Sequence, residues 1–374
     1  MSADVPFLAL APIYEELREE IDAAALRVLH SGWFVGGPES ERFETDFGAY
    51  TEAAYAIGVG NGLDALHLVL RAMDVGPGDE VIVASNSFIA TMLAVSMTGA
   101  TPVMVEPDPT TYNLDPTRVE AAITPRTKVL LPTHLYGQPA DMDALLTIAH
   151  QHGLKLVEDA AQAHGARYRG LRIGALGDAA CWSFYPSKNL GAAGDGGGVT
   201  TNDTALAARV RTLGNYGSAE RYVNIEKGVN SRLDPLHAAI MTVKLPHLDA
   251  WNDRRARIAA RYLDGLQDCG LVLPHVPDWA TPVWHLFVVH TPHRDALRDA
   301  LAAEGIATQI HYPIPPHRQQ AYAELGLGEG SFPIAERLAA EAVSLLIGPH
   351  MPDDHVEQVI DAIRRWAANQ PADV

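Results

Sequence analysis

From residue 54 to residue 159 the chain repeats one pattern. A short apolar run is followed by a turn and then by a stretch whose apolar positions recur every three or four residues. AYAIGV (54–59) precedes LDALHLVLRAM, and EVIVAS (80–85) precedes SFIATMLAVSMTG. TPVMVE precedes DPTRVEAAI, with Asp115 as its cap, and TKVLLP precedes DMDALLTIAHQHG, which ends at Gly153. A fifth run, LKLVED, closes the series at Asp159. Runs this short and apolar read as strands buried on both faces, and the helices between them read as crossovers. The pattern predicts an α/β fold with a mainly parallel sheet between helices. Ligands bind such sheets beyond the carboxyl ends of the strands. Those ends are Gly60 and Asn61, Asn86 to Phe88, His134 to Tyr136, and Glu158 with Asp159.

The rest of the chain extends this plan. Pro12 to His30 has helical spacing, and a second helix follows Pro38. DAACWSF (178–184) and GGVTT (197–201) predict two further strands, with a glycine-rich loop between them. A long helical region covers Asp234 to Leu266. Beyond it a strand at WHLFVVH, a helix at RDALRDALAAEG, a strand near TQIHY and a final helix from Asp354 suggest a smaller α+β domain. With 374 residues two domains are expected, a large one over 1–250 that includes the N-terminal helix and a small one over 251–374.

The net charge of −18 argues against nucleic acid and anionic membrane surfaces as partners. An anionic substrate would need a local basic patch. The two cysteines, Cys181 and Cys269, show no CxxC spacing, and no metal site is expected. MSADVPFLAL lacks the pattern of a signal peptide, and no apolar run is long enough to span a bilayer, so a cytoplasmic location is expected.

Chemistry concentrates in two places. Asp159 ends an apolar strand, where a charge is costly unless paired. It could cap the segment AAQAHG, ligate a metal, or hold a proton on a ring nitrogen. Lys188 stands in CWSFYPSKNLGAAGDGGGV, between an apolar run and a glycine cluster. Glycine-rich backbone permits close approach of a ligand, and a desolvated lysine can lose its proton and attack a carbonyl. Lysine as Schiff-base partner with aspartate under a pyridinium nitrogen is what pyridoxal phosphate (PLP) requires. Its phosphate needs backbone N–H groups at a helix start, which Gly60-Asn61-Gly62 offers.

In this order, these residues carry a resemblance. GNGLDALHL, NSFIAT, TGATPV, EPDPTTYNLDP, HLYGQPADMD, EDAAQAHGA, SFYPSKNLGAAGDGG and NSRLDPLHAAI together resemble the fold-type I PLP enzymes, specifically the DegT family of nucleotide-sugar aminotransferases. The resemblance runs along almost the whole chain. It implies that Lys188 carries PLP as a Schiff base and moves the proton, and that Asp159 lies under the pyridine nitrogen. Gln162 would stand near the ring hydroxyl, and Phe88 would stack on the ring. Ser183, with the Gly60, Asn61 and Gly62 turn, would hold the phosphate. Asn230 would reach that phosphate from a neighbouring subunit, which implies a homodimer.

The loop Lys-Asn-Leu-Gly-Ala-Ala-Gly-Asp-Gly-Gly resembles that of members aminating carbon 3 of dTDP-linked 6-deoxy keto sugars, with L-glutamate as amino donor. Ser187 stands where those relatives often carry glycine. By the same resemblance Tyr185, His311 and Tyr312 would face the sugar or its phosphates. Arg221, Tyr222 and Lys227, in a polar loop, would supply the positive charge for the pyrophosphate, or would simply be solvated. Four alternatives stay open at this point: a C4 aminotransferase, a cyclitol aminotransferase, a dehydratase (which would carry histidine in place of Lys188), and a sensor that has lost catalysis.

Overall fold

The apolar runs fall into register as one sheet. The computed structural model describes residues 5–370, so the first four residues of the MSADVPFLAL stretch lie outside it. Seven strands form the sheet: β1 (Tyr55–Val59), β2 (Glu80–Ala84), β3 (Thr101–Val105), β4 (Thr127–Leu131), β5 (Lys155–Asp159), β6 (Ala179–Ser183) and β7 (Gly197–Thr201). Their order across the sheet is β1-β7-β6-β5-β4-β2-β3. β7 is antiparallel to both of its neighbours, and the other pairs are parallel. Because β6 and β7 are antiparallel, segment 184–196 can join them without a crossover helix. The Lys188 loop therefore lies on the carboxyl edge of the parallel strands.

Each strand buries both faces by simple alternation. Val81 and Val83 of β2 pack in one core with Leu68 and Leu70 of the helix Gly62–Ala72, whereas Ile82 and Ala84 pack in the other. β6 divides in the same way, with Cys181 on the first face and Trp182 on the second. Phe47, from the helix Pro38–Tyr50, meets the rings of Trp182 and Phe184 edge-on, both at 5.2 Å. These pairs fix the chain on either side of Ser183.

The helical region predicted from Asp234 to Leu266 is two helices, Pro235–Lys244 and Leu248–Gly265, joined by a tight turn over Leu245–His247. Pro246 in that turn has no N–H to continue the helical ladder. The N-terminal stretch likewise divides, into Ala11–Glu16 and Arg18–Ser31, with Leu17 and Ile21 packed on Ile240 and Trp251. Strands β8 (Phe287–His290) and β9 (Ala342–Leu345) pair antiparallel within a separate C-terminal core. The expected boundary near residue 250 falls inside the helix Leu248–Gly265. Leu248 packs on the main sheet, and Ile258, Ala259 and Tyr262 pack in the C-terminal core. Val5 also joins that core, by a bridge to Ile306. The strand expected at TQIHY does not form. Gln309 makes one isolated bridge to Ser344, and Pro313, Pro315 and Pro316 then remove the donors a strand would need. β9 was not predicted, because it follows the helix Pro333–Glu341 without a turn and its apolar run extends the helical pattern.

One buried polar cluster sets the carboxyl edge of β5. Glu158 and His134 are both fully buried. Glu158 Oε1 accepts from the N–H groups of Leu176 at 3.1 Å and Gly177 at 2.8 Å. His134 Nδ1 accepts from the Ala140 N–H at 3.0 Å, so the ring proton is on Nε2, which donates to Glu158 Oε2 at 3.0 Å. One carboxylate thus ties two loops, those of His134 and Gly177, to the end of β5 next to Asp159. Glu158→Ala would strand two amides and an imidazole N–H inside the protein. A loss of about 3–5 kcal/mol in unfolding free energy is expected, measured by urea denaturation.

Candidate active site

Lys188 sits in the loop after β6, half-buried, with its backbone N–H bonded to the Tyr185 carbonyl at 2.8 Å. Glycine is required for the loop to close. A Cβ on Gly191 would lie 2.4 Å from the Pro186 carbonyl oxygen. Lys188 lines a cavity of about 490 Å³ beyond the carboxyl ends of the strands. Burial pushes its ammonium pKa down to about 8, against a smaller opposing pull from Asp159.

Asp159 lies on the same cavity and is 5 % exposed. Its Oδ2 accepts from Thr91 Oγ1 at 2.8 Å, and its Oδ1 accepts from the Ala161 N–H at 3.2 Å. Burial raises its pKa, while those two hydrogen bonds and then Lys188 pull the other way. The metal-ligand and helix-cap alternatives lose ground here. Among the described residues no group of three or more His, Cys, Asp or Glu side chains is arranged to hold a metal ion. Asp159 precedes a turn, not a helix.

The other walls suit a flat anionic ring compound. Phe88 is 50 % exposed and tilts toward Tyr312, with ring centroids 5.1 Å apart, leaving an aromatic face open to the cavity. At the opposite end the helix Gly62–Ala72 begins, capped by Asn61, whose Oδ1 accepts from the Asp64 N–H at 2.9 Å. A Cβ on Gly62 would lie 2.7 Å from Ser183 Cβ, so only glycine lets this helix start approach the serine. Helix N–H groups beside a hydroxyl make an anion cradle. A buried carboxylate held by neutral donors, an uncovered aromatic face, a cradle for an anion and a lysine of lowered pKa together fit the PLP that the resemblance implies.

Gln162 is fixed from both sides. Its Oε1 accepts from the Tyr136 N–H at 2.6 Å, and its Nε2 donates to the Tyr312 hydroxyl at 3.0 Å. His311 bonds Ser344 Oγ through Nδ1 at 2.7 Å, and burial holds its pKa down at about 4. Tyr185, more than half exposed, completes the rim.

The cavity does not gather every predicted residue. The Gly60 N–H donates to Ser231 Oγ at 2.9 Å, so the amide expected to hold phosphate is already engaged, and Asn61 and Gly62 line the cavity instead. Asn230 is exposed and bridges Asn215. Arg221 stacks over the Tyr222 ring at 5.0 Å, and Tyr222 is 85 % exposed, on a projecting hairpin (Ser218–Glu220 with Val223–Asn224). Lys227 is exposed on the same excursion.

Sequence reasoning missed Thr91, Asn189 and His285. His285 lines the cavity and its Nδ1 donates to Asn189 Oδ1 at 3.2 Å, while Asn189 Nδ2 donates to Asn252 Oδ1 at 2.8 Å and to the Val283 carbonyl at 2.9 Å. The residue after Lys188 thus anchors its loop to the C-terminal part of the chain. No local pattern marks these three, because their partners are distant in sequence.

Comparison with known proteins bears on this geometry. The profile of the DegT/DnrJ/EryC1/StrS aminotransferase family matches residues 15–364. The chain is 57 % identical over 364 residues to dTDP-3-amino-3,4,6-trideoxy-alpha-D-glucose transaminase of Streptomyces venezuelae, covering 97 % of this chain and 96 % of that one. It is 54 % identical to dTDP-3-amino-3,6-dideoxy-alpha-D-galactopyranose transaminase of Aneurinibacillus thermoaerophilus, covering 97 % and 99 %. The crystal structure of S. venezuelae DesV in complex with a ketimine intermediate superposes with a TM-score of 0.97, at 56 % identity, over 99 % of this chain and 100 % of that one. With a family match and full-length relatives of this similarity, the chain belongs to the DegT/DnrJ/EryC1/StrS aminotransferases.

Proposed function

We propose that this aminotransferase uses PLP to move the amino group of L-glutamate to the C3 keto group of a dTDP-linked 3-keto-6-deoxyhexose. The products would be the dTDP-3-amino-3,6-dideoxyhexose and 2-oxoglutarate. The observation that carries the reading is Lys188, of lowered pKa, on one cavity with the buried Asp159. The two relatives named above support a dTDP-linked hexose aminated at C3. Their names differ in the hydroxyl at C4, which leaves that position to the substrate titration.

PLP supplies an electron sink for the carbanion formed when the α-proton leaves. The chain's own residues do the rest. Lys188 Nζ would hold the cofactor and, once free, would take up and return the proton of the donor's α-carbon. A pKa of about 8 leaves it able to act as both acid and base near neutral pH. Asp159 would hold the proton on the ring nitrogen, with its carboxylate aimed by Thr91. Phe88 would cover one face of the ring, Gln162 would stand at its hydroxyl, and Ser183 with Asn61 and Gly62 would hold the phosphate. Tyr185, His311 and Tyr312 face the sugar. His311, uncharged at a pKa of about 4, would accept or donate a hydrogen bond there without adding charge.

By the family resemblance, the exposed Asn230, Arg221, Tyr222 and Lys227 would serve the partner's cavity in a homodimer: Asn230 at the phosphate, the basic pair at the pyrophosphate. The reading further divides the chain into a PLP-binding part over 1–250 and a smaller part over 251–374. Both cysteines are buried and unpaired, which suits a cytoplasmic enzyme. Among the described residues no helix is long and apolar enough to cross a membrane. No nucleic-acid partner is proposed, given the net charge of −18.

Absorbance tests the core of this reading. The protein with PLP should show a band at roughly 410–430 nm that L-glutamate moves to about 330 nm, and dTDP-keto sugars should restore the first band. Lys188→Arg should abolish both the shift and turnover. Persistent transamination in that variant would remove Lys188 from its role. Uptake of PLP by the cofactor-free wild type should quicken as pH rises through about 8, because the free amine is the attacking form. A flat profile from pH 6 to 9 would contradict the lowered pKa.

Asp159→Asn separates catalysis from stability. A carboxyl pKa raised by burial contributes stability below its unfolded pKa and loses it as pH rises through the folded pKa. At neutral pH the charge is therefore a burden on the cofactor-free fold. The variant should melt no lower than wild type without PLP, while kcat falls by ~10²–10³. Mixed dimers test the shared site. Lys188→Arg and Asn230→Ala chains, each weak alone, should recover activity when co-refolded, since a hybrid dimer carries one intact cavity. No recovery in a confirmed hybrid would place Asn230 in its own subunit's structure.

A further inference from the structure

Beside the Lys188 cavity lies a second one of about 410 Å³. Tyr185, Ser187, His285 and His311 line both, so the two adjoin. The floor of the second is Arg255, only 2 % exposed. Its Nη1 donates to the carbonyls of Trp284 at 3.2 Å and Ile347 at 3.0 Å. Among the described residues its other nitrogens have no hydrogen-bonding partner, and no aspartate or glutamate lines the cavity. A buried guanidinium without an anion is costly. In a chain with 46 acidic residues against 28 lysines and arginines, the absence of a carboxylate partner is notable. Backbone carbonyls hold one side of the fork, and the free side is suited to a bidentate carboxylate. Burial lowers its pKa only to about 10, so it remains a cation at neutral pH.

We infer that Arg255 is the carboxylate-binding residue for the amino donor, with Ser187 and Gln309 as its polar neighbours in a subsite that opens beside Lys188. The inference rests on L-glutamate being the donor. A donor with its α-carbon at Lys188 extends one carboxylate into this subsite, and a donor without that group leaves the guanidinium unpaired. The diphosphate of the nucleotide is a poorer occupant. It carries more charge than one buried arginine balances, and the exposed Arg221 and Lys227 suit it better.

The test uses holoenzyme and three variants, Arg255→Gln, Arg255→Lys and Gln309→Glu. The half-reaction with L-glutamate is followed by the spectral shift. The reverse half-reaction with the dTDP-amino sugar is followed in parallel, and calorimetry reads the binding of glutarate and of dTDP to cofactor-free protein. Arg255→Gln should raise the half-saturating L-glutamate concentration by about 10- to 100-fold and abolish glutarate binding. It should leave dTDP binding and the amino-sugar half-reaction within about twofold. Arg255→Lys should fall between, since a point charge lacks the fork. Gln309→Glu places a competing carboxylate in the same cavity and should weaken glutarate as well. It also decides the matter if Arg255→Gln does not fold. Equal losses in both half-reactions, unchanged glutarate binding, or weakened dTDP binding would overturn the inference. If wild-type holoenzyme ignores L-glutamate, the donor assignment fails. Glutarate binding that depends on Arg255 would still locate a carboxylate subsite.

Discussion

A carboxylate buried at the end of a parallel strand is the constraint around which this structure is arranged. Among the described residues no cation lies close enough to bond Asp159. Its carboxylate is held by the hydroxyls of Thr91 at 2.8 Å and Thr133 at 3.5 Å and by a backbone amide, which orient it and only partly offset its desolvation. A folded chain tolerates such a group where something bound later supplies the missing positive charge. The neighbouring Glu158 meets the opposite fate, since its three donors all come from the protein. Two adjacent acids at one strand end thus divide the work. One locks the loops, and the other is left facing the cavity.

The sheet topology explains why a lysine can reach that carboxylate. A parallel sheet brings its strand ends, and with them Asp159, Phe88 and the Gly62 helix start, to one edge. The antiparallel turn between β6 and β7 adds a loop at the same edge that no crossover helix could supply. Asn189 then ties this loop to Asn252 and Val283, so the position of Lys188 depends on the C-terminal part of the chain as well as on the sheet. The cavity has walls from both parts, with Lys188 and Asp159 on one side and His285, His311 and Tyr312 on the other.

Charge is managed locally. The surface is strongly acidic, yet the two adjoining cavities present Lys188 and Arg255, both desolvated and both short of anionic partners. Burial works on them to different degrees. It brings the ammonium pKa to about 8, where it can exchange protons, and leaves the guanidinium at about 10, where it cannot. The same physical effect yields one reactive group and one fixed charge, because the amine starts from a lower intrinsic pKa.

The sequence by itself determined the α/β plan, the strands that carry the cavity, and the residues Lys188, Asp159, Ser183, Gln162 and Phe88. The plan, Lys188 and Asp159 were legible because strand alternation, glycine loops and charged residues at strand ends are local signals with a period or a cost, whereas Ser183, Gln162 and Phe88 were named through the family resemblance. The tertiary structure alone decided which of the turn amides is free. Gly60 is taken by Ser231, a residue far along the chain, and no local pattern records that contact. It also decided that Val5 belongs to the C-terminal core, that Thr91 bonds Asp159, and that His285 and Arg255 line the adjoining cavities. Each of these depends on a partner many residues away. Periodicity reports which face of an element is buried, and only packing reports what that face is buried against.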